Sequence, residues 1–153
     1  MRAEIKDNFF PHGMFNQIVE DSQHSWETRP FIFLYKDLKN SFYTKDCVNF
    51  ISVLFNKKFN LYRSLYHAMV PGSRFKIHKD SKNSTHTCLL FVNPNWKPTW
   101  NGGTFFGEES NEYIQFKPNR MILMECDQYH SGSSFSSEAT DFRYQVVWHL
   151  NKL

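Results

Sequence analysis

The sequence predicts a mostly-β single domain, a jelly roll of eight strands propped by helices near the N-terminus. Three features of the chain point there. Aromatic residues make up 18% of the 153 positions, with sixteen Phe among them, a richness that suits interiors where flat side chains pack between sheets. From about Asn60 onward the apolar residues recur with a period near two, and turn residues interrupt them roughly every eight to twelve positions. Before Asn60 the apolar period is nearer four, which is helical spacing.

In chain order, Phe10, Met14, Phe15, Ile18 and Val19 form an apolar stripe between Phe9 and Asp21, with Pro11 near the first turn, and predict an amphipathic helix there. Cys47, Val48, Ile51, Leu54 and Phe55 repeat that pattern and predict a second helix over Thr44 to Asn56, capped by Thr44 or Asp46. Between the helices, Pro30 to Tyr35 is a short apolar run compatible with a strand or an extended packing segment. Strands are predicted over 62–70, 74–80, 85–92, 103–107, 112–116, 120–126, 128–133 and 142–150. Pro71-Gly72, Pro94-Asn95, Asn101-Gly102-Gly103, Pro118-Asn119 and serine-rich stretches separate them. Residues 1–60 thus read as helical support and 61–153 as the β core of one domain, since a chain of this length buries a single core.

Composition narrows the function classes. With 41% hydrophobic and 22% charged residues the chain reads as folded and globular. The net charge of +3 is carried by scattered Lys and Arg that form no block able to track a phosphate backbone, so nucleic acid is not the expected partner. Cys47, Cys88 and Cys126 are odd in number and lack the close pairs of zinc sites or disulfide frameworks, so they read as reduced thiols. No stretch has the length and apolarity of a signal or a membrane span. A cytoplasmic protein is expected, with a viral gene among the compatible sources.

The chemistry concentrates in four residues. His78-Lys79-Asp80 sits near the end of a predicted strand, where side chains two apart share a face. An imidazole and a carboxylate on one face can take adjacent positions on a divalent metal, and one more histidine completes a 2-His-1-carboxylate set with three positions left open. His130 follows Asp80 by fifty residues, enough chain for four intervening strands. Arg143 stands thirteen residues further on, in the last predicted strand. A buried arginine facing a metal needs an anion, and a guanidinium suits a carboxylate better than an ammonium does. One ligand that chelates metal at one end and carries a carboxylate at the other, such as 2-oxoglutarate, satisfies both.

With these residues in place, the stretch from Tyr66 to Leu150 resembles the prolyl 4-hydroxylase-like branch of the 2-oxoglutarate and iron(II)-dependent dioxygenases. The residues that carry the resemblance are His78 and Asp80, Leu89-Leu90-Phe91-Val92-Asn93-Pro94-Asn95-Trp96, Trp100-Asn101-Gly102-Gly103, His130 and Arg143. It implies a cupin-like double-stranded β-helix with N-terminal α-helices packed on one sheet. It also implies iron(II), 2-oxoglutarate and oxygen as reactants, with ascorbate as an accessory. The implied reaction is hydroxylation of a substrate C–H bond coupled to decarboxylation of 2-oxoglutarate, with a peptidyl proline favoured, hence a peptide or protein partner. A free amino acid or another small metabolite is the alternative substrate.

The pattern also departs from that family. Many members place a tyrosine hydroxyl beside the basic residue, and Phe91 stands at that position here. Thr87, on the same face, and Gln145 are the nearest groups to substitute for it. Tyr66 lies slightly further upstream of His78 than the tyrosine many members use, and is read as a pocket residue. His149 points inward by alternation from Arg143, and Arg74 and Trp100 lie in or beside loops at the open end. His12, His24, His67 and His86 read as surface or packing residues. A cupin-like module that binds metal or ligand without oxidising anything, and a purely structural jelly roll, are the rival readings; the second leaves the ordered His, Asp, His and Arg unexplained.

Overall fold

The computed structural model describes residues 3–23, 27–28, 33–73, 75–80 and 82–153. Among these described residues, ten strands and two α-helices are laid down in three layers. The strands are β1 (Ala3–Lys6), β2 (Glu27–Thr28), β3 (Phe33–Asp37), β4 (Phe59–Met69), β5 (His86–Phe91), β6 (Thr104–Phe106), β7 (Glu112–Ile114), β8 (Met121–Glu125), β9 (His130–Gly132) and β10 (Arg143–Lys152). The helices are α1 (His12–Asp21) and α2 (Cys47–Leu54), the latter preceded by a π-helical turn at Phe42–Asp46. A seven-stranded antiparallel sheet runs β1-β8-β5-β10-β4-β3-β2, and a three-stranded antiparallel sheet runs β7-β6-β9. Among the described residues, no helix is long and apolar enough to cross a membrane.

Strand alternation sorts the large sheet into two apolar faces. Tyr66, Ala68, Cys88, Leu90, Leu123, Tyr144, Val146, Trp148 and Leu150 face the helices and pack with Phe10, Ile18, Cys47, Val48 and Ile51 in one core. Leu65, Met69, Leu89, Phe91, Ile122, Met124 and Val147 face the small sheet and pack with Trp96, Phe106, Ile114 and Phe116 in a second. Trp148, fully buried, joins the helix layer to the sheet by donating its indole N–H to the Tyr43 carbonyl at 3.1 Å. The N-terminal helices thus pack on one sheet, as expected. The large sheet also recruits β1 and β3, for which the periodicity gave no clear strand; both sit in the N-terminal stretch read as helical.

Two local expectations are corrected. Of the strand expected over 74–80, the described residues 75–80 form none: outside one bridge at His78 they make no ladder, because this segment crosses the pocket mouth instead of running along a neighbour. The second helical region begins earlier than Thr44, and neither Thr44 nor Asp46 caps it. Asn40 takes that role, its side-chain oxygen accepting from the Tyr43 N–H at 3.3 Å and its carbonyl from the Thr44 N–H at 3.1 Å. The first helix starts at His12, directly after Pro11, whose fixed φ suits a helix entrance.

Candidate metal centre

Backbone pairing aims the three proposed ligands at one point. His78 and His130 exchange N–H to carbonyl bonds at 3.0 Å each, so the bridge between the crossing segment and β9 brings the two imidazoles together, 4.4 Å between ring centres and tilted by 53°. Asp80 is fixed separately, its N–H donating to the Cys126 carbonyl at 3.0 Å. Between Asp80 and His130 the chain makes β5, β6, β7 and β8, the four intervening strands expected. One ligand atom from each of the three side chains lies within 4.8 Å of the others, with Asp80 Oδ1 at 3.7 Å from His78 Nε2 and 3.6 Å from His130 Nε2.

Hydrogen bonds decide the tautomers. His78 Nδ1 meets the Lys76 carbonyl at 2.7 Å and His130 Nδ1 meets the Gln128 carbonyl at 3.0 Å. A carbonyl only accepts, so both Nδ1 atoms carry the proton and both Nε2 lone pairs face Asp80. Burial lowers the pKa of His130 and favours its neutral form. Thr87 donates to Asp80 Oδ2 at 2.6 Å, which leaves Oδ1 toward the histidines. Two imidazole lone pairs and a carboxylate oxygen then converge with no proton between them, and a divalent cation relieves that repulsion. The residues therefore fit a divalent ion such as iron(II), which His78, Asp80 and His130 would hold.

Behind this point lies Arg143, fully buried. Its guanidinium donates to the carbonyls of Gly102 and Gly103, to Met69 Sδ at 3.2 Å and to Gln145 Oε1 at 2.9 Å, and sits 5.4 Å from the Phe91 ring centre. Gly103 has to be glycine for the turn to close this tightly, since a Cβ there would lie 2.1 Å from the Ile114 carbonyl. Burial lowers the pKa of Arg143 to about 10, which still leaves it cationic at neutral pH. Among the described residues no carboxylate bonds to it, and a buried cation without a counter-charge is costly.

The pocket that opens on the three ligands is lined by His67, Phe75, Leu89, Thr104, Gln145 and His149, with Gly132 and Val147 completing the wall. Of the residues singled out in the sequence, Gln145 and His149 are in that wall. Thr87 stands at the metal end and serves Asp80 and His149 rather than Arg143. Phe91 stacks on Phe116, 4.6 Å between ring centres, and covers the guanidinium. Tyr66 points to the opposite face of the sheet, where its hydroxyl donates to the Ile18 carbonyl at 2.9 Å; one step of alternation separates it from the pocket. Trp100 packs edge-on against Trp96 in the inner core, outside the pocket wall. Arg74 and His24 lie outside the described residues.

Two polar lining residues escaped the sequence reading. His67, read there as a surface or packing histidine, borders the pocket, and Thr104 presents a buried hydroxyl with no hydrogen-bond partner among the described residues. Buried hydroxyls without partners are rare, and one lining a cavity signals a ligand. Register could have found His67, because it lies directly across from Gln145. Nothing in the sequence distinguishes Thr104 from other threonines near turns.

No family model matches the sequence, and no curated protein matches it either. Solved structures do match. A Pseudomonas putida prolyl-4-hydroxylase aligns with TM-score 0.72 and 10% identity over 97% of this chain and 92% of its own. The viral collagen prolyl hydroxylase of Paramecium Bursaria Chlorella virus-1, solved with 2-oxoglutarate, aligns with TM-score 0.69 and 11% identity over 99% and 97%. A Trichoplax adhaerens prolyl hydroxylase in complex with a hypoxia inducible factor peptide aligns with TM-score 0.67 and 17% identity over 97% and 83%. The protein has the double-stranded β-helix fold of the 2-oxoglutarate and iron(II) oxygenases, prolyl 4-hydroxylases among them.

Proposed function

We propose that the protein is a 2-oxoglutarate- and iron(II)-dependent dioxygenase that hydroxylates a C–H bond, with a peptidyl proline as its substrate. The observation that carries this reading is Arg143: a fully buried cation with no carboxylate bonded to it among the described residues, one hydrogen bond from a pocket on which two histidines and an aspartate converge. A ligand with a metal-chelating end and a distal carboxylate satisfies both ends at once. Bound together there, iron(II) and 2-oxoglutarate supply oxidative decarboxylation to succinate and carbon dioxide, one oxygen atom entering succinate and the other the substrate C–H bond.

The chain's own residues hold and shield these reactants. His78, Asp80 and His130 bind the metal, and Thr87 keeps Asp80 Oδ1 turned toward it. Arg143 supplies positive charge at the far end, while Gln145 and Thr104 offer an amide and a hydroxyl to the distal carboxylate. Phe75, Leu89 and Val147 form an apolar wall that excludes water. A groove lined by Lys76, Ile77, Phe105, Ser131 and Ser133 adjoins the pocket, with Phe75 and Gly132 lining both. It supports an extended peptide rather than a free amino acid. Action in the cytoplasm belongs to the same reading, consistent with three cysteines that are all free thiols.

The test is aerobic incubation of the iron-loaded protein with 2-oxoglutarate and a panel of proline-containing peptides, scoring succinate and peptide mass. Succinate with one oxygen added to a proline supports the proposal. Succinate with the added oxygen on another residue or a free amino acid changes the substrate, and no succinate from any member of the panel removes it.

A further inference from the structure

We infer that His67 is a positioning residue for the co-substrate, holding the Gln145 amide so that its unused N–H is presented to the distal carboxylate; this rests on the co-substrate reading above. The deduction starts at Arg143. A guanidinium has only donors, so the Gln145 atom 2.9 Å from Arg143 Nη1 is the oxygen, and the amide nitrogen is turned the other way. That nitrogen meets His67 Nδ1 at 3.3 Å. An amide nitrogen only donates, so Nδ1 must accept, and His67 is neutral with its proton on Nε2. Desolvation agrees, lowering the His67 pKa to about 3.

The register between β4 and β10 sets His67 directly opposite Gln145, which makes the contact a cross-strand pair rather than a chance approach. Gln145 is thereby clamped at both ends. Its second amide proton has no acceptor among the described residues, and the side chain lines the same pocket as the unpartnered Thr104 hydroxyl. A carboxylate is the group that accepts from both. Arg143 has already committed donors to two carbonyls, a sulfur and Gln145, so much of its charge reaches the ligand through the polarised amide that His67 keeps in place.

The experiment titrates anaerobic iron(II)-loaded protein with 2-oxoglutarate and, separately, with 2-oxopentanoate, which has the same chelating end and no distal carboxylate. Affinity is read from the visible charge-transfer absorbance. In His67→Phe, which keeps a flat ring and removes the acceptor, the 2-oxoglutarate Kd rises by roughly tenfold while that for 2-oxopentanoate is unchanged. His67→Asn, whose Oδ1 falls near the place of Nδ1, restores most of the lost affinity. Should His67→Phe not fold, His67→Leu makes the same comparison. Unchanged 2-oxoglutarate affinity, or an equal loss for both acids, overturns the role of His67 while leaving the co-substrate reading intact. Absence of any 2-oxoglutarate signal in iron-bound wild type overturns that reading, and the role of His67 with it.

Discussion

Replacing Thr104 by Val should make the ligand-free protein more stable and its co-substrate complex weaker. The Thr104 hydroxyl is buried in the pocket wall without a hydrogen-bond partner among the described residues, so the folded protein has stripped it of water and returned nothing. Burying a polar group in that state costs about 1–3 kcal/mol, and valine fills the same shape with a methyl group. At the low end, a gain of about 1 kcal/mol raises the melting temperature by roughly 2–4 °C for a chain of this size. If the hydroxyl donates to the distal carboxylate of 2-oxoglutarate, losing that charge-assisted bond costs about 1.5–3 kcal/mol of binding, or roughly ten- to over a hundredfold in Kd. Thermal unfolding followed by circular dichroism reads the first effect, and anaerobic titration of the iron(II) protein reads the second. A lower melting temperature would mean that the hydroxyl is already satisfied in the empty pocket. Unchanged 2-oxoglutarate affinity would mean that it does not face the ligand.

Other perturbations separate the parts of the site. Truncating Arg143 to Ala should weaken 2-oxoglutarate by about 2–5 kcal/mol, from tens- to thousands-fold in affinity, with iron binding retained; calorimetry on the iron-loaded variant checks this. Thr87→Val should lower iron(II) affinity by roughly ten- to a hundredfold, because Asp80 loses the donor that orients it, as a competition titration with a chromophoric chelator would show. Trp148→Ala should cost about 3–5 kcal/mol of stability in urea unfolding, since it empties a fully buried site between the helices and the sheet. For pH, burial lowers the pKa values of His67, His130 and His149, so the unfolded chain binds more protons than the native one below about 6.5. Stability of the metal-free protein is therefore full above that pH and falls as the pH drops toward 4. Urea midpoints measured across that range would contradict this by staying flat.

The late strands and both helices were legible because their punctuation is chemical: Pro-Gly, Asn-Gly-Gly and Pro-Asn turns cut the chain where it bends, and β4 to β10 fall within the predicted β core but for Phe59 and Asn60 at the start of β4. The convergence of His78, Asp80 and His130 was legible from residue type and order, and so was a buried Arg143 on the last strand. What alternation could not decide was which face of the large sheet is which. Helices cover one side and the small sheet the other, so Tyr66, Ala68 and Trp148 are as apolar as Leu65, Met69 and Val147. A period of two on a sheet buried on both faces carries no sign, so it could not correct the reading of Tyr66 as a pocket residue, which came from the family resemblance; His67 stands in the pocket instead. The crossing segment before His78 misled differently: its apolar residues mimic a strand, but they line the pocket mouth and the adjoining groove. Thr104 needed three dimensions, because its significance is the absence of a partner among the described residues.

The most direct test needs no knowledge of the substrate. Iron(II) and then 2-oxoglutarate are added to the metal-free protein without oxygen, and the visible spectrum is recorded for wild type and His78→Ala. A metal-to-ligand charge-transfer band in the wild type that is absent in the variant is the predicted result, because it requires both chelation by the co-substrate and the histidine that holds the metal. Iron binding without a band in the wild type would contradict a co-substrate bridging the metal and Arg143, and would leave a metal-binding barrel with no oxidative chemistry.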